Sequence, residues 1–130
     1  MQYAMTVVVE RPFDTVLEEV RTALTDQGFG VLTEIDLSGT LKEKIDADVP
    51  AQVILGACRP PLAHAALQAD PSIGLLLPCN VTVRDSGGGQ TTVEAMDPDV
   101  MVGVTGNHAL EDVARDARHR LGAALRALAG

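Results

Sequence analysis

The chain has 130 residues, a net charge of −8 and 46% apolar residues, and its aromatic content is only 2%. That length suits one domain, residues 1–130, with a core of its own, and the apolar share excludes a disordered chain. The acidic balance and the shortage of stacking rings argue against nucleic acid and against an anionic membrane surface, both of which call for clustered Lys and Arg.

Residues 3–9, rich in Val, read as an edge or central strand. Pro12 suits a first helical turn, and Phe13, Val16, Leu17, Val20 and Leu24 follow at helical spacing up to Gly28, a natural C-terminal cap. Residues 30–36 read as a second strand with Val31, Thr33 and Ile35 on one side and Glu34 and Asp36 on the other. Ser38 is expected to cap a short helix over 39–45, on which Leu41 and Ile45 share a face. Val53 to Cys58 has the pattern of a buried strand. Pro60 and Pro61 then open a helix that Asp70-Pro71 ends near Ala69.

Leu75 to Val83 reads as a further strand in which Pro78 demands an edge position or a bulge. The glycines of Ser86 to Gly89 mark a hairpin, and Gln90 to Met96 returns antiparallel. Asp97-Pro98 starts a short helical turn. A last long helix begins near Asn107, with Leu110, Val113, Ala114, Ala117, Leu121, Leu125 and Leu128 as its apolar stripe. The hairpin requires antiparallel pairing, so the expected class is α+β: a sheet covered on one face by helices.

The N-terminal residues lack a basic segment ahead of an apolar run, and no apolar stretch is long enough to span a bilayer. The chain is therefore expected in the cytoplasm, with Cys58 and Cys79 as reduced thiols.

Chemistry concentrates between Cys58 and Asn80. Cys58 stands at a strand end before a proline-initiated helix, where free amides, the helix dipole and the adjacent Arg59 favour a thiolate. If the two strands are neighbours, Cys58, His64 and Cys79 form a soft ligand set suited to zinc, copper(I) or a haem iron. Their spacing matches no paired C-x-x-C zinc motif. The plainer reading is that both cysteines pack as small hydrophobes and that His64 is a surface residue. Lys42, Glu43 and Lys44 form another polar cluster, suited either to an anionic ligand or simply to a solvated face. Glu34 is a candidate acid–base group. His108 and His119 read as solvated. The glycine loop 87–89 joins two strands, so it is no phosphate cradle.

Several blocks carry a family resemblance: Gly28-Phe29-Gly30-Val31-Leu32-Thr33-Glu34-Ile35-Asp36, Thr40-Leu41-Lys42-Glu43-Lys44, Ile54-Leu55-Gly56-Ala57-Cys58, Pro60-Pro61-Leu62-Ala63-His64, Ala66-Leu67-Gln68-Ala69-Asp70-Pro71, and Ile73-Gly74-Leu75-Leu76-Leu77-Pro78-Cys79-Asn80. In these the chain resembles the bacterial family called domain of unknown function 302. The resemblance implies a curved antiparallel sheet similar to the TATA-binding-protein-like architecture, and a homodimer. It implies neither DNA binding nor an agreed activity. The chain departs from the family pattern over residues 46–52, where an aromatic is frequent.

The leading functional expectation is a small ligand- or metal-binding protein whose site gathers Cys58, His64, Cys79 and Asn80, flanked by Glu34, Lys42 and Lys44. A thiol-dependent enzyme or redox protein using Cys58, with His64 or Glu34 as proton carrier, is the second. A non-catalytic dimeric scaffold is the third.

Overall fold

The computed structural model describes residues 2–129. In chain order it contains β1 (Ala4–Val9), α1 (Phe13–Asp26), β2 (Gly30–Asp36), α2 (Leu37–Ile45), β3 (Gln52–Cys58), α3 (Pro60–Ala69), β4 (Cys79–Gly87), β5 (Gln90–Met96), α4 (Asp99–Thr105) and α5 (Glu111–Leu128). Single 3-10 turns precede β4, at Ile73–Leu76, and α5, at His108–Leu110. The five strands form one open sheet in the order β1-β5-β4-β3-β2, and every neighbouring pair is antiparallel. The architecture is α+β, as the pattern of the sequence predicts.

The main core lies between one face of this sheet and the helices α1 and α5. Alternation along the strands sends Val9, Val53, Leu55, Ala57, Cys79, Val81, Val83, Val93 and Ala95 to that side. They meet Val16, Val20 and Leu24 of α1 and Leu121, Ala124 and Leu125 of α5. The apolar stripes of both helices are those expected from spacing, except that Phe13, Leu17 and Val113 are only half-buried and Leu110 lies in the 3-10 turn ahead of α5. The intervening strand residues, such as Thr6, Thr82, Arg84 and Glu94, lie on the other face and are half-buried or exposed.

Gly28 closes α1 as expected. Its φ of 83° is left-handed, its amide donates to the Thr25 carbonyl at 2.9 Å, and that of Phe29 donates to the Leu24 carbonyl at 3.0 Å. This crossed pair is a Schellman closure, completed by the burial of Phe29 with Leu24 in the same cluster.

Three expectations change. The cap of α2 is Asp36, whose carboxylate accepts from the Gly39 amide at 2.9 Å; Ser38 instead accepts from the Gln52 amide at 3.1 Å and so ties α2 to β3. The expected strand from Leu75 begins only at Cys79, because Ile73–Leu76 turns as a 3-10 segment. Pro78 therefore stands just outside β4, the central strand, where its missing N–H interrupts no ladder. In β2 the register shifts between Val31 and Thr33. Thr33 and Ile35 thus pair with Gly56 and Ile54 on the helix-free face, while Val31 packs on the core.

Gly56 records how closely the chain is folded there. A Cβ at this position would overlap Thr33 Oγ1 and come within 2.8 Å of Pro78 Cγ. Gly56→Ala is expected to cost about 1–3 kcal/mol, the range for overpacking. Thr33→Ala in the same chain should recover part of the loss, because the rigid proline ring remains. Urea unfolding midpoints of the two variants and the parent check this.

On the helix-free face, hydrogen bonds from Arg84 and then from Thr6 (2.8 Å) hold the Glu94 carboxyl below its ordinary value. A depressed folded-state value means that the stabilisation is present above the unfolded carboxyl's pKa and is lost as pH falls through the folded one. Glu94→Gln should therefore lower the melting temperature at neutral and alkaline pH and converge on the parent in acid, flattening the acid side of the profile.

Candidate functional site

Two interior strand ends and three helices meet around the cysteines. Ala57 pairs with Cys79 across β3 and β4, and Cys58 follows one residue along. Pro60 and Pro61 start α3 directly afterwards, so the inner face of α3 (Leu62, Ala63, Ala66) folds back over the strand ends. Leu77 and Pro78 close one side, and Phe29, Met101 of α4 and Ala117 of α5 close the rest. The result is a narrow, mostly apolar crevice of about 30 Å³, room for roughly two water-sized groups. It lies at the junction of two packed clusters: Phe29, Ala57 and Cys79 belong to the main core, and Ala66 and Met101 to a smaller one with Ile73, Leu110 and Ala114.

Both cysteines are free thiols lining this crevice, Cys58 half-buried and Cys79 buried. Burial, and then the charge of the neighbouring Cys58, push the Cys79 thiol above its ordinary range. The polar member of the lining is Arg59. Its side chain lies over Gly28, where a Cβ would stand 3.0 Å from Nε, and Nε is buried without a hydrogen-bond partner.

The remaining expected site residues lie elsewhere. His64 is exposed on α3 and is not part of the crevice lining, because Leu62, Ala63 and Ala66 take the inner face. Asn80 pairs with Gly56 and is exposed, one residue beyond Cys79 and so on the opposite face of the sheet. Glu34 pairs with Leu55 in mid-strand and forms an ion pair with Arg21 of α1. Lys42 is paired with Asp46 at 2.7 Å and Asp48 at 3.1 Å, and those carboxylates raise its pKa. Lys44 is exposed on the same helix. Helix α2 is anchored at Gln52, the far end of β3 from Cys58, about 20 Å away along the strand. The expected convergence thus reduces to Cys58 and Cys79. Among the described residues no group of three or more His, Cys, Asp and Glu side chains is placed to hold a metal ion, so the Cys58, His64 and Cys79 ligand set is not assembled.

Arg59, expected only to favour a thiolate at Cys58, is the charged residue of the crevice lining that the Cys and His ligand set leaves out. Its signal in the sequence is its position between a strand end and a double proline, which fixes its backbone while leaving its side chain free to fold back over Gly28.

Comparison with known proteins adds a family and a fold. The family profile described as "Domain of unknown function DUF302" matches residues 5–128. A solved structure, that of an uncharacterized conserved protein DUF302 from Bacillus stearothermophilus, is similar over 98% of this chain and 99% of that one, at 30% identity and a TM-score of 0.91. No curated protein matches the chain. Among the described residues no helix is long and apolar enough to cross a membrane.

Thiol reactivity follows from the two environments. The thiolate is the reactive form, and Cys79 is held as the thiol. Near neutral pH, Cys58 in a Cys79→Ser variant should alkylate at least about tenfold faster than Cys79 in a Cys58→Ser variant. Equal rates, or faster labelling of Cys79, would contradict this assignment.

Proposed function

The chain belongs to the family described as domain of unknown function DUF302, and we propose that this protein binds a small molecule whose acceptor-bearing end enters the Cys58–Cys79 crevice. The observation that carries the reading is the buried, unpartnered Nε of Arg59 beside an otherwise apolar lining. A buried donor without an acceptor is costly, and a carboxylate or carbonyl oxygen would satisfy it. The crevice is too small for a whole ligand of ordinary size. It takes a terminal group, and the remainder of the ligand lies over α3 and Arg59.

A second reading, a thiol-dependent reaction at Cys58, draws support from the half-buried Cys58 beside Cys79, a second thiol held protonated. In that reading Cys58 is the nucleophile. Metal binding at Cys58, His64 and Cys79 has no comparable support, since His64 stands outside the crevice.

The reading includes a homodimer. Helix α2 has nine residues and buries none of its side chains fully, with Leu37, Ser38 and Leu41 only half-buried, and a helix that short is marginal in water without further packing. It adjoins the edge strand β2, where Leu32 and Ile35 are exposed together with Ile45 and Val49 nearby in sequence. A second copy covering this edge would supply the missing contacts.

Two measurements test these proposals. In amide NMR titrations, acetate and butyrate are expected to perturb residues 57–63 and 77–79, and Ala63→Leu, which fills the crevice, should abolish the effect. Shifts scattered over the surface, or persisting in Ala63→Leu, would sink the binding reading. Light scattering should give twice the 13.6 kDa chain mass, and Ile45→Asp should return it to the chain mass; a monomer at all concentrations would refute the dimer.

A further inference from the structure

A second and much larger cleft, about 710 Å³, runs along the flank of α5 away from the cysteines. Helix α4 contributes Asp99, Val102 and Gly103 to its wall, and β1 contributes Met5. From α5 come Glu111, Arg115, Arg118, His119, Gly122 and Arg126. Their spacings of three, four and seven residues place them on one helical face. The volume falls within the roughly 300–1,000 Å³ of small-molecule sites.

The charge of this lining runs against that of the chain. The protein has 10 basic and 18 acidic residues, yet three arginines line the cleft against two carboxylates. Glu111 is engaged by His108 at 2.6 Å. Arg115 reaches Asp112 at 2.9 Å, and Arg118 reaches Asp97 at 3.2 Å and Asp99 at 3.7 Å. The Arg115 pair and the Asp99 contact are well exposed, and pairs of that kind are weak in water and readily exchanged for a ligand anion. Arg126 has no carboxylate within ion-pair distance among the described residues.

Gly122 adds an independent observation. It sits within an otherwise helix-favouring run, Leu121 to Leu125, where glycine is unfavourable relative to alanine. An added methyl would meet Arg126 Nη1 at 3.2 Å and Met5 Cε at 3.5 Å, both the ends of flexible side chains. Alanine would therefore fit after small displacements. With glycine there, the Arg126 guanidinium lies directly against the helix backbone, a position that an added methyl would push it out of.

We propose that this cleft binds a small polyanion, one oxyanion group on Arg126 where it rests against Gly122 and another on Arg115 and Arg118. Arg118 and Arg126 are eight positions apart, about 12 Å along the helix axis, and flexible arginine side chains shorten that span for ligands of intermediate length. Phosphate and carboxylate groups share the planar or tetrahedral oxygen arrangement that guanidinium recognises with two hydrogen bonds.

Calorimetric titration of the full chain at low salt with pyrophosphate and, separately, with citrate tests the proposal. Saturable binding of pyrophosphate alone assigns a phosphate-bearing ligand, of citrate alone a polycarboxylate, and of both a site that reads charge and spacing. Arg126→Gln is expected to weaken the binding at least about fivefold, as loss of a charge-assisted contact would. Lys44→Gln, which removes the same charge on α2, should leave it unchanged. Gly122→Ala should melt at a higher temperature and bind more weakly. Absence of saturable binding to either anion, an equal loss in Lys44→Gln, or unchanged affinity in Gly122→Ala would each overturn it.

Discussion

Two helices, α1 and α5, lie on one face of the sheet and are held there by aliphatic side chains. With Phe29 as the single buried aromatic ring, contact depends on many small, closely matched groups. Leu55, Val81, Val83 and Val93 on the strands meet Val16, Val20, Leu24 and Leu121 on the helices, and Ala23 and Ala124 let the backbones approach. Polar contacts lock the margins. Arg11 grips Glu19 of α1 with two hydrogen bonds and donates a third to the Leu128 carbonyl at 2.7 Å. Buried Thr91 donates to the Arg11 carbonyl at 2.9 Å. The start of α1, the end of α5 and β5 are thereby joined at one corner.

One-sided packing also explains where the molecule leaves space. The main core ends at the Cys58 and Cys79 ends of β3 and β4, and a smaller cluster under α3 and α4 begins there. Between them four alanines, Ala57, Ala63, Ala66 and Ala117, stand in the lining. Side chains that short cannot fill the junction, and a crevice remains. The single cation of its lining, Arg59, follows the end of β3 directly, and its Nε is buried without an acceptor.

The opposite face of the sheet and helix α2 follow a different logic. There the stabilisation is polar, through Arg84, Glu94 and Thr6 across three strands, and through Asp36 and Ser38 at the start of α2. These groups position the surface without burying it. The exposed apolar residues are confined chiefly to the β2 edge, the helix beside it and isolated positions such as Val8 and Leu75.

Local features were legible in the sequence because they depend on local physics. A continuous apolar run marked β3, the glycine hairpin marked the return of β5, the 3.6-residue stripe marked α1 and α5, and Gly28, Pro60 and Asp70-Pro71 punctuated the helices where φ and hydrogen bonding require it. The order of carboxylate and hydroxyl at the start of α2 was less legible, since Asp36 and Ser38 both have the chemistry of a cap and only the course of β3 beside them assigns Ser38 to Gln52. The composition of the site was legible in one part: Cys58 and Cys79 share a crevice because β3 and β4 are neighbours in register. Where the other candidates went was decided by tertiary structure alone. His64 turns outward because alanines and Leu62 take the inner face of α3, and Lys42 and Lys44 stand at the far end of β3 because α2 docks at Gln52. Convergence of side chains from separate segments is set by strand order, register and helix rotation, and these arise from contacts between residues far apart in the chain, for which no local periodicity carries a record.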